Sequence, residues 1–277
     1  MLSADELTAY CARIALDQPL APDIETLHAI HAAHCAAITF ENLDVQMGLA
    51  PSLDPAAIFA KLVTRRRGGW CYETNGLLAR ALGTIGFDVT RICAGVVRED
   101  LGRVLMGSHL ALLVTLDEPW VVDVGFGSWI GAPVPLKPGK MALKPWPVTV
   151  EQRPDGIWHL SAELRNRTMA YIFGDGPGDE ALLTQMCSWQ TRDSDSIFVQ
   201  NLIAQRRIGD TDLSLRGRVL LVTDATGRTE RLLTDADDLV TTLHEGFGLD
   251  VPAAAQLWPA VVARHAALFP DQDMPTT

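Results

Sequence analysis

The sequence predicts an α+β protein with a helical N-terminal region, a middle of antiparallel strands and a C-terminal region that mixes a hairpin with helices. Three observations carry that prediction. Apolar residues recur at helical spacing through the first 85 residues, β-branched runs take over after Phe87, and the chain closes on one hairpin and two helical patterns. The 277 residues are ample for a buried core and leave room for two or three small domains or one large one. With 48% hydrophobic and 21% charged residues the composition is globular, which excludes disordered and fibrous chains.

Ser3-Ala4-Asp5-Glu6 is a capping box, and Leu7, Tyr10, Cys11 and Ile14 follow at helical spacing, so the first helix ends before Pro19. Pro22-Asp23 opens a second helix with Ile24, Leu27, Ile30 and His31 on one face, until Phe40-Glu41-Asn42-Leu43-Asp44 breaks the pattern. Asp54 before Pro55 is an N-cap and N1 pair leading into a third helix marked by Ile58, Phe59, Leu62 and Val63. After the basic turn Arg65-Arg66-Arg67-Gly68-Gly69, a fourth helix runs over 71–82 and is stopped by Gly83 and Gly86. Strands follow at 89–97, 109–116, 120–124 and 148–152, the last turning through Pro154-Asp155-Gly156 into 157–160. Residues 130–147, rich in proline, read as a loop. A hairpin pairs 218–223 with 229–233 about a turn at 224–227, and helical patterns at 237–244 and 253–268 end the chain.

Charge and cysteine usage narrow the function classes. Thirty-four acidic against 23 basic residues give a net charge of −11, which repels phosphodiester backbones and anionic lipid, so nucleic acid is not an expected partner. The opening residues carry acids and no basic segment followed by an apolar run, so they do not read as a secretory signal, and a cytosolic location is expected. Apolar stretches such as 109–116 fall far below the roughly 18 residues a spanning helix needs. The five cysteines, at 11, 35, 71, 93 and 187, are odd in number and contain no C-x-x-C pair, which argues against a disulfide scaffold and a zinc ribbon. His28, His31, His34 and Cys35 resemble metal-ligand spacing, but helical pitch spreads the three histidines over about 120°. We therefore expect no metal there and read that face as packing on the strand region.

The sharpest local feature is Arg67-Gly68-Gly69-Trp70-Cys71-Tyr72-Glu73-Thr74-Asn75, in which a glycine turn delivers a cysteine onto the start of a helix. A helix N-terminus favours thiolate over thiol, and a nearby imidazolium lowers a cysteine pKa to roughly 3–4 in the strongest pairs. Buried packing as a small hydrophobe is the plain alternative for any cysteine. His109, opening its strand after Gly107-Ser108, is the best placed of the seven histidines to accept a proton, because an edge position leaves the ring accessible. His159 is also strand-like, whereas His244 and His265 lie in late helical patterns and suit structural roles. Asp123 sits in an otherwise apolar strand, where a buried carboxylate is expensive unless paired. Cys71, His109 and Asp123 thus form a candidate nucleophile, base and orienter, a set recognised by roles rather than by chain order.

Four ordered motifs within 40–127 resemble the arylamine N-acetyltransferase family: Phe40-Glu41-Asn42-Leu43-Asp44, Arg67 to Asn75, His109-Leu110, and Val122-Asp123-Val124-Gly125-Phe126-Gly127. The resemblance implies an N-terminal helical domain over 1–86, a central antiparallel β-barrel over 87–197 and a C-terminal α/β lid over 198–277. It also implies Cys71, His109 and Asp123 as the triad, acetyl-coenzyme A as donor and an arylamine, arylhydrazine or N-arylhydroxylamine as acceptor. Phe40, Trp70, Phe126 and Phe198 would line an apolar slot for the acceptor, although each is equally a core aromatic. Backbone N–H groups near Tyr72, at a helix start, would face the oxyanion, and the turn at Gly125 and Gly127 would admit the donor's pantetheine arm.

Other readings of the same residues stay open. Papain-like proteases, transglutaminases and amide synthases use the same triad logic on other carbonyls, and a binding module could keep the fold without chemistry. The stretch 198–277 contains no candidate nucleophile or base, and its apolar residues suit a water-excluding cover as well as a plain core.

Overall fold

The computed structural model describes residues 1–98, 102–127, 129–144, 146–164, 167–224 and 226–270. It begins with helix α1, Ala4–Arg13, closed by the expected capping box: Ser3 accepts from the Glu6 N–H, and Glu6 accepts from the Ser3 N–H. Helix α2, Ile24–Ala37, is capped by Asp23. A two-residue strand β1, Phe40–Glu41, and a single turn α3, Leu43–Gln46, follow. Helix α4, Pro55–Phe59, continues as a π-helical turn, Ala60–Thr64, where a uniform third helix was expected. Helix α5, Cys71–Ile85, runs past Gly83, the first of the two expected stops, and ends at the second, Gly86, whose φ is +110°.

The strand region is one eight-stranded antiparallel sheet. Its members are β2 Asp88–Arg98, β3 Arg103–Thr115, β4 Pro119–Val122, β5 Val134–Pro135, β6 Gly139–Met141, β7 Val148–Gln152, β8 Trp158–Leu164 and β9 Arg167–Phe173. Their order is β5-β4-β3-β2-β9-β8-β7-β6. One hydrophobic cluster draws Val134 from one edge, Val148 and Val150 from near the other and Leu160, Tyr171 and Phe173 from between, so the sheet curls around its own core in the manner of a half-barrel. The stretch 130–147, expected as loop, supplies the two edge strands. Two further differences concern β2 and β3: β3 begins six residues before His109, and a bulge between Ala94 and Gly95 shifts its register with β2 beside that histidine.

Helix α6, Glu180–Arg192, absent from the sequence prediction, packs on β3, and α7, Ile197–Gln200, leads into the second sheet. That sheet is larger than the single hairpin expected. Strands β10 Ile203–Ile208, β11 Thr211–Arg216, β12 Val219–Asp224 and β13 Gly227–Leu232 form a meander, and β1 completes it in the order β1-β10-β11-β12-β13. Helix α8, Ala236–Glu245, a 3₁₀ turn, Pro252–Leu257, and α9, Trp258–Leu268, close the described chain. Leu43 from the N-terminal region joins Leu215, Leu239, Leu243 and Phe247 in one buried cluster, so the C-terminal residues share a core with the helices. The Thr39 hydroxyl donates to the Phe247 carbonyl at 2.6 Å across that seam. No helix of the described residues is long and apolar enough to cross a membrane.

Candidate active site

The start of α5 is fixed from both sides. The Glu41 N–H donates to the Gly69 carbonyl at 3.0 Å, and the Gly69 N–H donates to the Thr39 carbonyl at 3.1 Å, so β1 grips the glycine turn while also pairing with β10. Beneath the turn lie five buried or half-buried charges. Lys61 Nζ reaches Asp44 at 2.7 Å and Glu73 at 2.8 Å, and Arg67 Nη2 reaches Glu41 at 2.8 Å and Asp44 at 2.9 Å. Glu73 also accepts from the Trp70 N–H at 3.3 Å. Burial raises its carboxyl to about 7 against the pull of Lys61. Lys61 is raised to about 12, because Glu41, Glu73 and Asp44 outweigh its own burial. Cys71, the first residue of α5, emerges above this network.

Sequence-distant residues converge on the thiol. His109 Nε2 donates to Asp123 Oδ2 at 2.7 Å, which leaves Nδ1 as the nitrogen free for Cys71. Burial alone would lower the His109 pKa, but the Asp123 charge and hydrogen bond, with Cys71 adding to them, raise it to about 10. The other oxygen of Asp123 accepts from Asn75 Nδ2 at 2.9 Å and from the Gly125 N–H at 2.8 Å. Burial opposes the Asp123 charge, yet His109, Asn75 and Gly125 hold its carboxyl below the ordinary carboxylate range. His109 is only 2% exposed in mid-strand, which corrects the expectation of an accessible edge position. Its access to a ligand comes through a cavity instead.

That cavity has a volume of about 440 Å³, and Cys71, His109, Phe40, Phe126 and Phe198 all line it. Phe40 and Phe198 stand 6.1 Å apart by ring centroids, and Phe126 packs 5.0 Å from His109 and 4.9 Å from Trp129. Trp70 is not in the cavity wall. It stands behind Phe198, ring centroids 5.4 Å apart, and is 1% exposed, so its bulk supports the slot from outside. Gly125 and Gly127 line the cavity, but the space a Cβ would occupy is taken by the protein. A Cβ on Gly125 would stand 2.6 Å from Cys71 Cα, and one on Gly127, whose φ is +65°, would run into the Gln205 amide. Glycine at 125 is therefore what lets the Asp123 turn approach the thiol. The Tyr72 hydroxyl donates to the Gly107 carbonyl at 2.7 Å, away from the cavity, and its backbone belongs to the first turn of α5.

Four residues of the site have roles that no sequence signal announces: Asn75, Tyr171, and Trp129 and Trp189 in the cavity wall. Asn75 donates to Asp123 and to the Leu110 carbonyl and accepts from the Val124 N–H, tying α5 to both strands of the site. Tyr171 packs its ring 5.0 Å from His109 from across the sheet, and its pKa is raised by burial first and by Asp123 second. Only the fold brings β9 to His109. No group of three or more potential metal ligands forms among the described residues.

The geometry has clear relatives. A profile of the N-acetyltransferase family matches residues 23–256. The chain is 37% identical over 261 residues to an arylamine N-acetyltransferase of Mycolicibacterium smegmatis, covering 90% of this chain and 93% of that protein. The arylamine N-acetyltransferase structure from Mycobacterium marinum superposes with a TM-score of 0.86 at 33% identity, covering 92% of this chain and 98% of that one. The same enzyme in complex with CoA superposes with a TM-score of 0.84 at 33% identity, over 93% and 97% of the two chains. Sequence, fold and the convergence of four separate motifs on one cavity agree: the chain belongs to the arylamine N-acetyltransferase family.

Proposed function

We propose that this protein transfers an acetyl group from acetyl-coenzyme A to an arylamine, arylhydrazine or N-arylhydroxylamine through an acyl-cysteine on Cys71. The observation that carries the reading is the charge pattern at the thiol, with His109 held as imidazolium by Asp123 beside a cysteine at a helix start. An adjacent cation and a helix N-terminus both favour the nucleophilic thiolate. The cavity suits a thioester with a nucleotide tail and a flat acceptor: Phe40, Phe126 and Phe198 offer apolar faces, and Arg98 and Arg216 stand in the same wall. The Mycobacterium marinum relative solved with CoA supports the donor assignment.

In the first half-reaction the Cys71 thiolate adds to the thioester carbon. Open N–H groups of the first turn of α5, at Tyr72, face the developing oxyanion. As the tetrahedral adduct collapses, the carbon–sulfur bond to coenzyme A breaks and His109 delivers its proton to the departing thiolate. In the second half His109, now neutral, takes a proton from the attacking amine as nitrogen adds to the acyl carbon. Cys71 leaves as thiolate, and the imidazolium is restored. Asp123 stays ionised throughout and orients the ring. The five cysteines, all unpaired, suit the reducing cytosol as the working compartment.

Intact-protein mass spectrometry tests this. Acetyl-coenzyme A without amine should add one acetyl group, an arylamine should remove it, and Cys71→Ala should add none. An adduct that persists in Cys71→Ala, or no adduct on the wild type, contradicts the reading. Acylation by peptide amides instead would favour a transglutaminase-like enzyme.

A further inference from the structure

The histidine-rich face of α2 reaches the candidate site through one of its rings. His31 is 1% exposed, and its Nε2 lies 3.1 Å from the backbone oxygen of Asp123, 92 residues away in sequence. A carbonyl oxygen only accepts, so the His31 proton sits on Nε2 and the ring donates. Nδ1 is then an acceptor, and one turn further along α2 the Cys35 Sγ lies 3.9 Å from it. Burial raises that thiol to about 12, so it keeps its proton and can donate. Burial also lowers His31 to about 4, against the attraction of Asp123 and with the help of His28 and Arg207, so the ring is neutral at pH 7.

The carbonyl that His31 meets is a strategic one. Strand β4 ends at Val122, and the turn after it has left the ladder. Side chains take over its polar groups: the Val124 N–H donates to Asn75 at 3.0 Å, and the Gly125 N–H donates to the Asp123 carboxylate at 2.8 Å. Asn75 on α5 and His31 on α2 therefore fix the turn from two different helices.

We propose that His31 is a positioning residue for acyl transfer, donating from Nε2 to the Asp123 carbonyl and so holding the turn that aims the Asp123 carboxylate at His109. The inference rests on the acyl-transfer reading of the site. Removing the donor leaves a buried carbonyl unsatisfied and frees the turn to rotate, and small misplacements of a reacting constellation are costly in rate. A histidine that merely filled the core would change stability when replaced by an apolar side chain and leave the reactivity of Cys71 alone.

The test compares His31→Leu with His31→Gln, whose amide nitrogen reaches the position of the lost Nε2. Acetyl transfer is measured together with the pH profile of Cys71 alkylation by iodoacetamide. His31→Leu should lower kcat about tenfold with donor KM unchanged, slow alkylation at neutral pH and move its profile to higher pH. His31→Gln should recover most of both. A folded His31→Leu with wild-type kcat and alkylation profile overturns the proposal, and so does equal impairment of the two variants or a His31→Gln that does not fold. Should His31→Leu fail to fold, His31→Asn takes its place, because its shorter amide cannot span to the carbonyl, and wild-type rates there overturn the proposal. Alkylation needs no acyl donor, so a wild type that alkylates but takes up no acetyl group contradicts the function while the variant comparison still decides the role of His31.

Discussion

Cys71 stands on a helix start braced by Lys61, Arg67, Glu41, Asp44 and Glu73, whereas Asp123 stands in a turn braced by an amide, a backbone N–H and a neutral imidazole. The first end is held by ions and the second by neutral dipoles. Ions that pair with one another fix geometry and cancel their fields nearby. Neutral donors satisfy the lone pairs of Asp123 Oδ1 without cancelling its charge, and among the described residues the only cation within ion-pair distance of that carboxylate is His109. The full charge of Asp123 thus acts on the imidazole, and this is why a ring whose burial lowers its pKa is instead raised to about 10. A lysine in place of Asn75 would offset that charge and, having no acceptor, would also release the Val124 N–H.

The largest expected effect comes from breaking the neutral end at its charge. Asp123→Asn keeps the shape and removes the field, so the rate of Cys71 acetylation should fall by about 10⁴, as when the triad carboxylate of a serine protease is neutralised. Single-turnover acetylation measures it, and a folded variant within tenfold of wild type would show that the charge is not needed.

Breaking the ionic end should act on stability. Lys61→Met leaves Glu73 and Asp44 buried without that partner, a loss of about 3–5 kcal/mol for a broken buried pair. The lower figure is expected, because Glu73, already at about 7, escapes by taking a proton. Denaturant titration reads the loss, and acetylation per folded molecule should stay near wild type. A Lys61→Met that is as stable as wild type but catalytically dead would erase the contrast between the two ends.

A smaller, pH-dependent effect separates the histidines. The folded pKa of His109 is raised from 6.5 to about 10, so its stabilising contribution is full below 6.5 and is lost as pH rises through about 10. His31 and His34 are lowered from 6.5 to about 4 and about 3, so their contribution is full above 6.5 and falls as pH drops toward those values. At 1.36 kcal/mol per tenfold change in proton affinity, each contribution is on the order of a few kcal/mol. His34→Asn, whose amide oxygen can still accept from the Tyr10 hydroxyl that bonds His34 Nδ1 at 2.9 Å, should flatten the acid side of the stability curve. An unchanged slope between pH 6.5 and 4 would show that His34 does not titrate on unfolding in that range.

The ionic end was more legible in sequence than the neutral one. Arg67 to Asn75 is contiguous, so the glycine turn, the thiol and the carboxylate at Glu73 could be read from local spacing. His109 and Asp123 were legible as residues, but their burial was not, because β3 begins at Arg103 and the bulge at Ala94/Gly95 is a property of pairing. His31 was visible only as one member of an apparent ligand set, since its partner is a backbone carbonyl and carries no sequence signal. Strands β10 and β11 escaped because Gln205, Arg206, Arg207, Asp212 and Ser214 interrupt the apolar pattern. Their order comes from pairing with β1, a two-residue strand no periodicity could announce.

The most direct test of the central claim, that Asp123 keeps His109 charged beside the Cys71 thiol, is an NMR titration of the His109 imidazole nitrogens in wild type and Asp123→Asn. The wild type should hold an imidazolium from pH 6 through pH 9 and lose the proton only near 10, with a large downward shift in the variant. A wild-type His109 that is neutral at pH 7, or one whose titration is the same in both proteins, would contradict that claim.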